Sequence, residues 1–154
     1  MNYKLEKVKL EEKEILYNLL QFALYDGSKY IENELNENGE FEYHWFDNYF
    51  TDVDRLAYFI KSDDNKILGF FMINQNMKYY NEGHSVAEFL ILPNYRRNHI
   101  GKRVAFDIFN MLKGNWEVEP IGNSEEAYHF WKKTIEDYTD NKCDYKNKIF
   151  VFKN

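Results

Sequence analysis

The sequence has few of the features that mark secreted, disulfide-rich or membrane-spanning chains. It holds one cysteine, Cys143, among 154 residues, which excludes an internal disulfide framework and favours a reducing compartment. The first residues contain no apolar run after their charges, so no signal peptide is predicted. No stretch approaches the ~20 apolar residues that a membrane-spanning helix needs. We therefore expect a cytoplasmic protein with no membrane partner.

Positive charge is also in deficit, since 20 Lys and Arg face 26 Asp and Glu, for a net charge of −6. Such a chain is not typical of nucleic-acid-binding proteins, whose contact surface is positive. The remaining composition, 44% hydrophobic and 19% aromatic, indicates a globular chain rather than a disordered one. Its length predicts a single domain over residues 1–154.

Hydrophobic spacing predicts helices that alternate with strands. The expected strands are residues 3–10, 55–61, 67–73, 86–92, 116–118 and 149–152. The expected helices are residues 11–27, 40–50, 100–112 and 124–136. Both prolines, Pro93 and Pro120, follow strand-like runs, where a strand can end without losing a ladder hydrogen bond. This order predicts an α/β fold with a mixed sheet.

The run of residues 86–92 is apolar on both faces except at Glu88, which places it in the middle of the sheet. A basic loop follows and leads directly into the helix predicted over 100–112. The free N–H groups and the dipole of the first helical turn can hold an anion. Gly101 would let a ligand approach the backbone closely. The combination predicts a phosphate-binding site.

Four cations surround this helix start with no acid among them: Arg96, Arg97, Lys102 and Arg103. Cations at a helix N-terminus oppose the helix dipole, so an anionic ligand is a better explanation than a solvated helix end. Neither a P-loop nor a Gly-x-Gly-x-x-Gly fingerprint is present to specify which phosphate compound binds.

The loop resembles the signature Arg/Gln-x-x-Gly-x-Gly/Ala of the GNAT superfamily of N-acetyltransferases. The matching residues are Arg96-Arg97-Asn98-His99-Ile100-Gly101, preceded by the Ile91-x-Pro93 that is typical of the fourth strand of that family. His99 replaces the first glycine of the signature, which requires it to take a helical or left-handed conformation. The element order fits the family over essentially the whole chain. The resemblance implies a mixed, mostly antiparallel twisted sheet of six to seven strands, flanked by about four helices.

A second segment resembles the Asn-x-x-Ala-x-x-Phe-Tyr helix of the family. Aligned on Ala127, the Asn position is Ser124, and the Tyr that often acts as general acid is Trp131. This match is weak by itself and supports the first. Its departures leave open whether another residue supplies the acid.

The resemblance implies that acetyl-CoA donates an acetyl group to a primary amine, which attacks the thioester directly. The backbone of the fourth strand would pair with the pantetheine arm, the loop would hold the pyrophosphate, and Ser124 would line the thiol arm. The implied cofactor-binding residues are Phe89, Leu90, Ile91, Arg96, Arg97, Asn98, His99, Ile100, Gly101, Lys102 and Ser124.

A general base must remove a proton from the attacking ammonium group. Glu88 is our first candidate, because burial within an apolar strand raises the pKa of a carboxyl group towards a useful value. The alternatives are a structural ion pair or hydrogen bond for Glu88, or Glu82 or His84 as the base. Tyr128 is a candidate general acid, although an aromatic residue on an amphipathic helix usually serves packing. No metal site is predicted, because the histidines lack partners at a ligand spacing.

Residues 30–54 form an acidic stretch without a single Lys or Arg. Blocks of like charge are usually solvated surfaces. In the family this region contributes to the acceptor pocket, and its acids and aromatics, including Tyr43, Trp45 and Tyr49, would suit a cationic amine. We therefore expect a small cationic amine or a basic peptide as acceptor.

Two other functions stay open at the level of sequence. One is a catalytically weak or inactive CoA-binding regulator with the same fold. The other is a module that uses the basic loop to bind a phosphopeptide or nucleic acid, which the acidic remainder of the chain disfavours. The choice between monomer and homodimer is not fixed by the sequence.

Overall fold

The computed structural model describes residues 1–154 and contains one seven-stranded sheet with three α-helices. The strands are β1 Lys4–Lys7, β2 Leu56–Lys61, β3 Ile67–Asn74, β4 His84–Ile91, β5 Asn115–Val118, β6 Asp144–Lys146 and β7 Ile149–Lys153. The helices are α1 Lys13–Gly27, α2 Ile100–Met111 and α3 Glu125–Thr139. None of them is long and apolar enough to cross a membrane.

The strand order is β1-β2-β3-β4-β5-β7-β6, and every neighbouring pair is antiparallel except β4 and β5. This arrangement confirms the predicted mixed, mostly antiparallel sheet, and it confirms that β4 lies in the middle. The sheet separates two hydrophobic cores. One core joins the sheet to α2 and α3, and the smaller one lies under α1 and the aromatic residues of 41–50.

β4 and β5 stay together for only two residue pairs, His84 with Trp116 and Ser85 with Glu117. The strands then separate, which leaves residues 86–91 without a strand neighbour on that side. A bulge lies at the same point, because Met72 pairs with Glu88 while the next pair is Ile73 with Val86. A bulge changes the direction in which following side chains point and increases the local twist. The sheet is therefore open at its centre.

Three predictions from the sequence need correction. The helix expected over 40–50 is instead a single turn of 3-10 helix, Asp47–Phe50, because Phe41, Phe46 and Tyr49 are spaced by their contacts with the core and not by a helical repeat. The apolar spacing that predicts the helix over 11–27 includes Ile15, which is instead exposed. Strand β6 was not predicted, since all three of its residues are exposed and carry no hydrophobic pattern.

The connection between β3 and β4 is fixed by a buried acid on β5. Glu117 is only 2% exposed, and its carboxylate accepts hydrogen bonds from the backbone N–H groups of Lys78, Tyr79 and Tyr80 at 2.8 to 3.2 Å. Hydrogen bonds to a charged acceptor are among the stronger ones in proteins. They hold the chain just before the strand that opens the sheet.

We predict that Glu117→Ala lowers the free energy of unfolding by about 2–4 kcal/mol, because it leaves three backbone donors without their acceptor. The matched control is Glu119→Ala, which removes an exposed carboxylate paired with Lys78 and should cost no more than about 0.5 kcal/mol. Urea denaturation of both variants measures the difference. Equal losses would show that Glu117 does not anchor this connection.

Candidate active site

The opening between β4 and β5 forms a cavity of about 620 Å³. One wall is β4 from Val86 to Ile91, and the opposite wall comes from the residues after β5 and from α3. The end of α1 and the start of α2 close the two ends. The volume is typical of cavities that bury small organic ligands.

The free edge of β4 exposes backbone N–H and C=O groups to the cavity, because no strand pairs with it there. Phe89, Leu90 and Ile91, predicted as cofactor-binding residues, all line the cavity. Their strand has a neighbour, β3, on only one side at this point. An extended ligand can therefore add to this edge as a further strand would.

The start of α2 borders the same cavity. His99 has a φ of 54°, so it takes the left-handed one of the two conformations, helical or left-handed, that the motif allows at this position. No side chain caps α2, which leaves the N–H groups of its first turn without a side-chain acceptor. At Gly101 a Cβ would meet the ring of Phe130 at 3.2 Å, so a larger residue would crowd the space beside the helix start. The first turn of α2 therefore keeps free N–H groups beside a small residue, as an anion site requires.

The four predicted cations do not all converge on this point. Arg96 lines the cavity, and its Nε donates to the carbonyl of Ile91 at 2.7 Å. Lys102 also lines it, while pairing with Asp137 of α3. Arg103 turns away and donates to the carbonyl of Met1 at 2.8 Å, because its position on α2 faces the N-terminus of the chain.

Arg97, Asn98 and Ile100 do not line the cavity: the first two are exposed, and Ile100 is buried in the larger core. The structure adds one cation that the sequence did not suggest, Lys133, which reaches the cavity from the next turn of α3 after His129. The sequence offered one signal for this position: Lys133 follows Phe130 by three residues, which places both on the same face of a helix. The positive end of the cavity is thus built from two helices.

Ser124 lines the cavity but has a structural role as well. It is the N-cap residue of α3, and its hydroxyl accepts from the N–H of Ala127 at 3.1 Å. This hydrogen bond satisfies one of the free donors at the start of α3. The two helices differ in this respect: a serine side chain caps the start of α3, whereas no side chain caps α2, so only α2 keeps free N–H groups for a ligand.

Glu88 lies on the β4 wall, next to the bulge. It forms no salt bridge, and the choice between a general base and a structurally hydrogen-bonded carboxyl group stays a prediction. Burial raises the pKa of its carboxyl group to about 7. A carboxyl group that titrates near neutral pH can accept a proton from a substrate.

The other candidate bases lie outside the cavity. Glu82 is exposed before β4. His84 lies where β4 and β5 are still paired, and its ring stacks at a tilt on Trp116 while its Nε2 is 3.1 Å from the carbonyl oxygen of Lys113. Both positions precede the opening of the sheet.

The structure does not bring Tyr128, the candidate general acid, to the cavity. Its ring stacks on Phe150 of β7 at a centroid distance of 5.8 Å and lies 5.3 Å from Tyr145 of β6. The turn of α3 explains this, because Ala127, Phe130 and Trp131 occupy the face towards the cavity. The position of Tyr128 supports packing and not proton transfer.

The acidic stretch 30–54 does not contribute its acids to the cavity, which corrects the expectation for the acceptor pocket. Among its residues only Tyr30 lines the wall. The rings of Trp45 and Tyr49 already face a cation, because the guanidinium of Arg55 lies 5.4 and 5.7 Å from their centroids. The acids that do line the cavity come from other elements: Asp26, Glu88, Glu119 and Glu126.

Sequence reasoning also missed how residues 41–46 approach the sheet. Tyr43 packs against the smaller core, and the side chain of Gln21 on α1 forms two hydrogen bonds with the backbone of Phe41. The only signal was the density of aromatic residues around position 43, and that pattern was interpreted as a helix.

The comparisons with known proteins agree with this geometry. The model of the acetyltransferase (GNAT) family matches residues 14–136, which is most of the chain. No curated protein sequence matches it.

Several solved structures share the fold at low sequence identity. An aminoglycoside antibiotic 6′-N-acetyltransferase from Acinetobacter baumannii is 10% identical, with a TM-score of 0.62 over 86% of this chain and 89% of that one. A spermidine N-acetyltransferase from Vibrio cholerae, in complex with CoA and spermine, is 11% identical, with a TM-score of 0.58 over 98% and 95%. A GNAT acetyltransferase from Staphylococcus aureus is 10% identical, with a TM-score of 0.60 over 99% of both chains.

The family model covers the strand, loop and helix that build the cavity, and the solved structures share the fold. The chain therefore belongs to the acetyltransferase (GNAT) family and is an N-acetyltransferase.

Proposed function

We propose that the protein transfers an acetyl group from acetyl-CoA to the primary amine of a small cationic acceptor, with Glu88 as the general base. The observation that carries this proposal is the position of Glu88. It is a largely buried carboxyl group without a cationic partner, on the wall of a cavity that also offers a free strand edge and an uncapped helix start. A carboxyl group that is buried without a cation is costly to ionise, so its pKa rises into the range that suits a base.

The residues present fit a CoA ligand. The edge of β4 over residues 86–91 offers backbone groups to an extended amide chain such as pantetheine. The N–H groups at the start of α2 suit a pyrophosphate, and Arg96, Lys102 and Lys133 add positive charge at that end. Acetyl-CoA, when bound, supplies a thioester as the acyl donor.

The residues of the chain then remove a proton from the acceptor and stabilise the negative charge that develops on the carbonyl oxygen. Glu88 takes a proton from the acceptor ammonium, so an N–H bond breaks, an O–H bond forms, and the lone pair of the nitrogen becomes available for attack. A backbone N–H on the free edge of β4 can donate to the carbonyl oxygen as negative charge develops there. The apolar rings of Phe89, Phe130 and Trp131 line the cavity beside the edge of β4 and limit the access of water to it.

The charge of the cavity supports a cationic acceptor. Asp26 and Glu119 both line the cavity. They lie near each other, because Gly27, next to Asp26, packs against Ile121, two residues after Glu119. The ion pairs of these two acids, with Lys29 and Lys78, are solvent-exposed and therefore weak. A cationic substrate can replace those lysines. The acceptors named for two similar structures, spermidine and aminoglycosides, carry several amines, which agrees with this inference.

We predict that Glu88→Gln lowers kcat/KM by about 10²-fold or more, because general-base catalysis contributes roughly that much. Binding of CoA, measured by calorimetry, should stay unchanged, since the amide keeps the shape of the side chain. Glu82→Gln is the matched control on the preceding residues and should retain full turnover. Turnover that is unaffected in Glu88→Gln would exclude Glu88 as the base. Absence of any turnover in the unmodified protein, with CoA bound, would favour the regulatory alternative.

We predict that cationic amines are better acceptors than neutral or anionic ones in a screen monitored by release of free thiol. Asp26→Asn should raise the KM for a polyamine about three- to tenfold and leave the KM for acetyl-CoA unchanged, because it removes an attractive charge at the acceptor end. Glu37→Gln provides the control within the exposed acidic stretch 30–54. A preference for anionic acceptors, or an equal effect of Glu37→Gln, would contradict this assignment.

A further inference from the structure

We propose that the solvent-facing side of α1 is a homodimer interface, on which α1 of a second copy of this chain packs antiparallel. Six residues at a regular spacing form this surface, which we call the α1 stripe: Glu11, Ile15, Asn18, Phe22, Tyr25 and Lys29. None of them lines the cavity, so the inference does not depend on the proposed function.

The α1 stripe exposes apolar side chains where the surface helix of a monomer usually exposes polar ones. Ile15, Phe22 and Tyr25 are 44%, 60% and 67% exposed. The other exposed residues of α1 are Glu14 and Asn18. Three of the five side chains that α1 turns to solvent are therefore apolar, and two of these are aromatic. Clustered apolar and aromatic side chains on a helix surface mark an interaction surface.

The spacing of the α1 stripe is that of a helix that packs along another helix. Its residues follow one another by four, three, four, three and four positions, which keeps side chains on one line along a helix. Both ends continue this line. Glu11 lies in the turn of 3-10 helix, Leu10–Glu12, that leads into α1. Just before Lys29, the N–H of Ser28 still donates to the carbonyl of Leu24 at 3.0 Å.

An antiparallel pair of these helices has one register that matches the stripe with itself. In this register Ile15 of one copy meets Tyr25 of the other, and Asn18 meets Phe22. A two-fold axis repeats each contact, because in such an interface residue i meets residue j and residue j meets residue i. Each apolar side chain at the ends of this central part therefore gains an apolar neighbour.

The charges at the two ends of the stripe select the antiparallel orientation. In the same register Glu11 of each copy meets Lys29 of the other, which gives two contacts of opposite charge. A parallel pair would place Glu11 beside Glu11 and Lys29 beside Lys29. Lys29 is available for this contact, since its ion pair with Asp26 is solvent-exposed and therefore weak. The dipoles of the two helices also favour the antiparallel arrangement.

A membrane surface suits the stripe less well than a second copy does. A helix that lies on a membrane carries Lys and Arg beside its apolar face. The residues beside the stripe on α1 include Glu14 and Asp26, and the whole chain has a net charge of −6. This charge repels a surface of anionic lipids.

Sedimentation velocity over about 1–300 µM protein tests the interface. We expect a reversible equilibrium of monomer and dimer, weak because one helix from each copy forms a small contact area. Phe22→Glu should leave a monomer at every concentration, because the dimer would bury two unpaired carboxylates. Met111→Glu is the matched control on α2, where it replaces another exposed apolar residue, and should keep the dimer. Thermal melting confirms that both variants fold.

A charge-reversal cycle tests the orientation. Glu11→Lys or Lys29→Glu alone should raise the dissociation constant of the dimer about tenfold, because each change places like charges at two contacts. The double variant, Glu11→Lys with Lys29→Glu, should return the constant to within about threefold of the wild type. Single variants without effect, or a double variant without recovery, would contradict the antiparallel register.

Asn18→Leu makes a weak dimer easier to detect, because it brings an apolar side chain against Phe22 of the second copy. It should lower the dissociation constant about tenfold or more. Monomers of both the wild type and Asn18→Leu up to about 300 µM would overturn the proposal, even if the stripe then bound lipid vesicles or another protein. A dimer that survives Phe22→Glu, or that Met111→Glu dissociates equally, would overturn it as well.

Discussion

The separation of β4 from β5 after two residue pairs is the constraint on which the rest of the structure depends. A parallel pair that continued would bury the edge of β4 and leave no cavity. Because the strands separate, β4 keeps a free backbone edge, and α2 and α3 can approach it from one side while α1 approaches from the other. The bulge beside Glu88 occurs at the same place, so one irregularity both opens the sheet and directs the carboxyl group.

Charge is distributed to suit this opening. The net charge of −6 conceals a positive end of the cavity, formed by Arg96, Lys102 and Lys133, and an acidic end near Asp26 and Glu119. A polyanionic ligand and a cationic acceptor can thus enter one cavity without competing for the same charges. The acids of residues 30–54 lie outside it and belong to the solvated surface.

Much of the fold could be predicted from the sequence, because apolar periodicity reports burial directly. The central position of β4 followed from a run of apolar residues, and the motif limited His99 to a helical or left-handed conformation, of which it takes the second. The course of residues 41–46 could not be predicted, since it depends on hydrogen bonds between Gln21 and the backbone of Phe41, twenty residues apart. The packing position of Tyr128 could not be predicted either, because hydrophobicity alone does not tell which side of a helix faces a cavity and which faces a sheet.

Amide hydrogen exchange in the presence and absence of acetyl-CoA reports on the opening itself. We expect slower exchange on binding at two places, the edge of β4 over residues 86–91 and the first turn of α2 over residues 99–102. The rest of the sheet should change little, since its backbone groups are already paired. Protection confined to another surface, with these two segments unchanged, would contradict it.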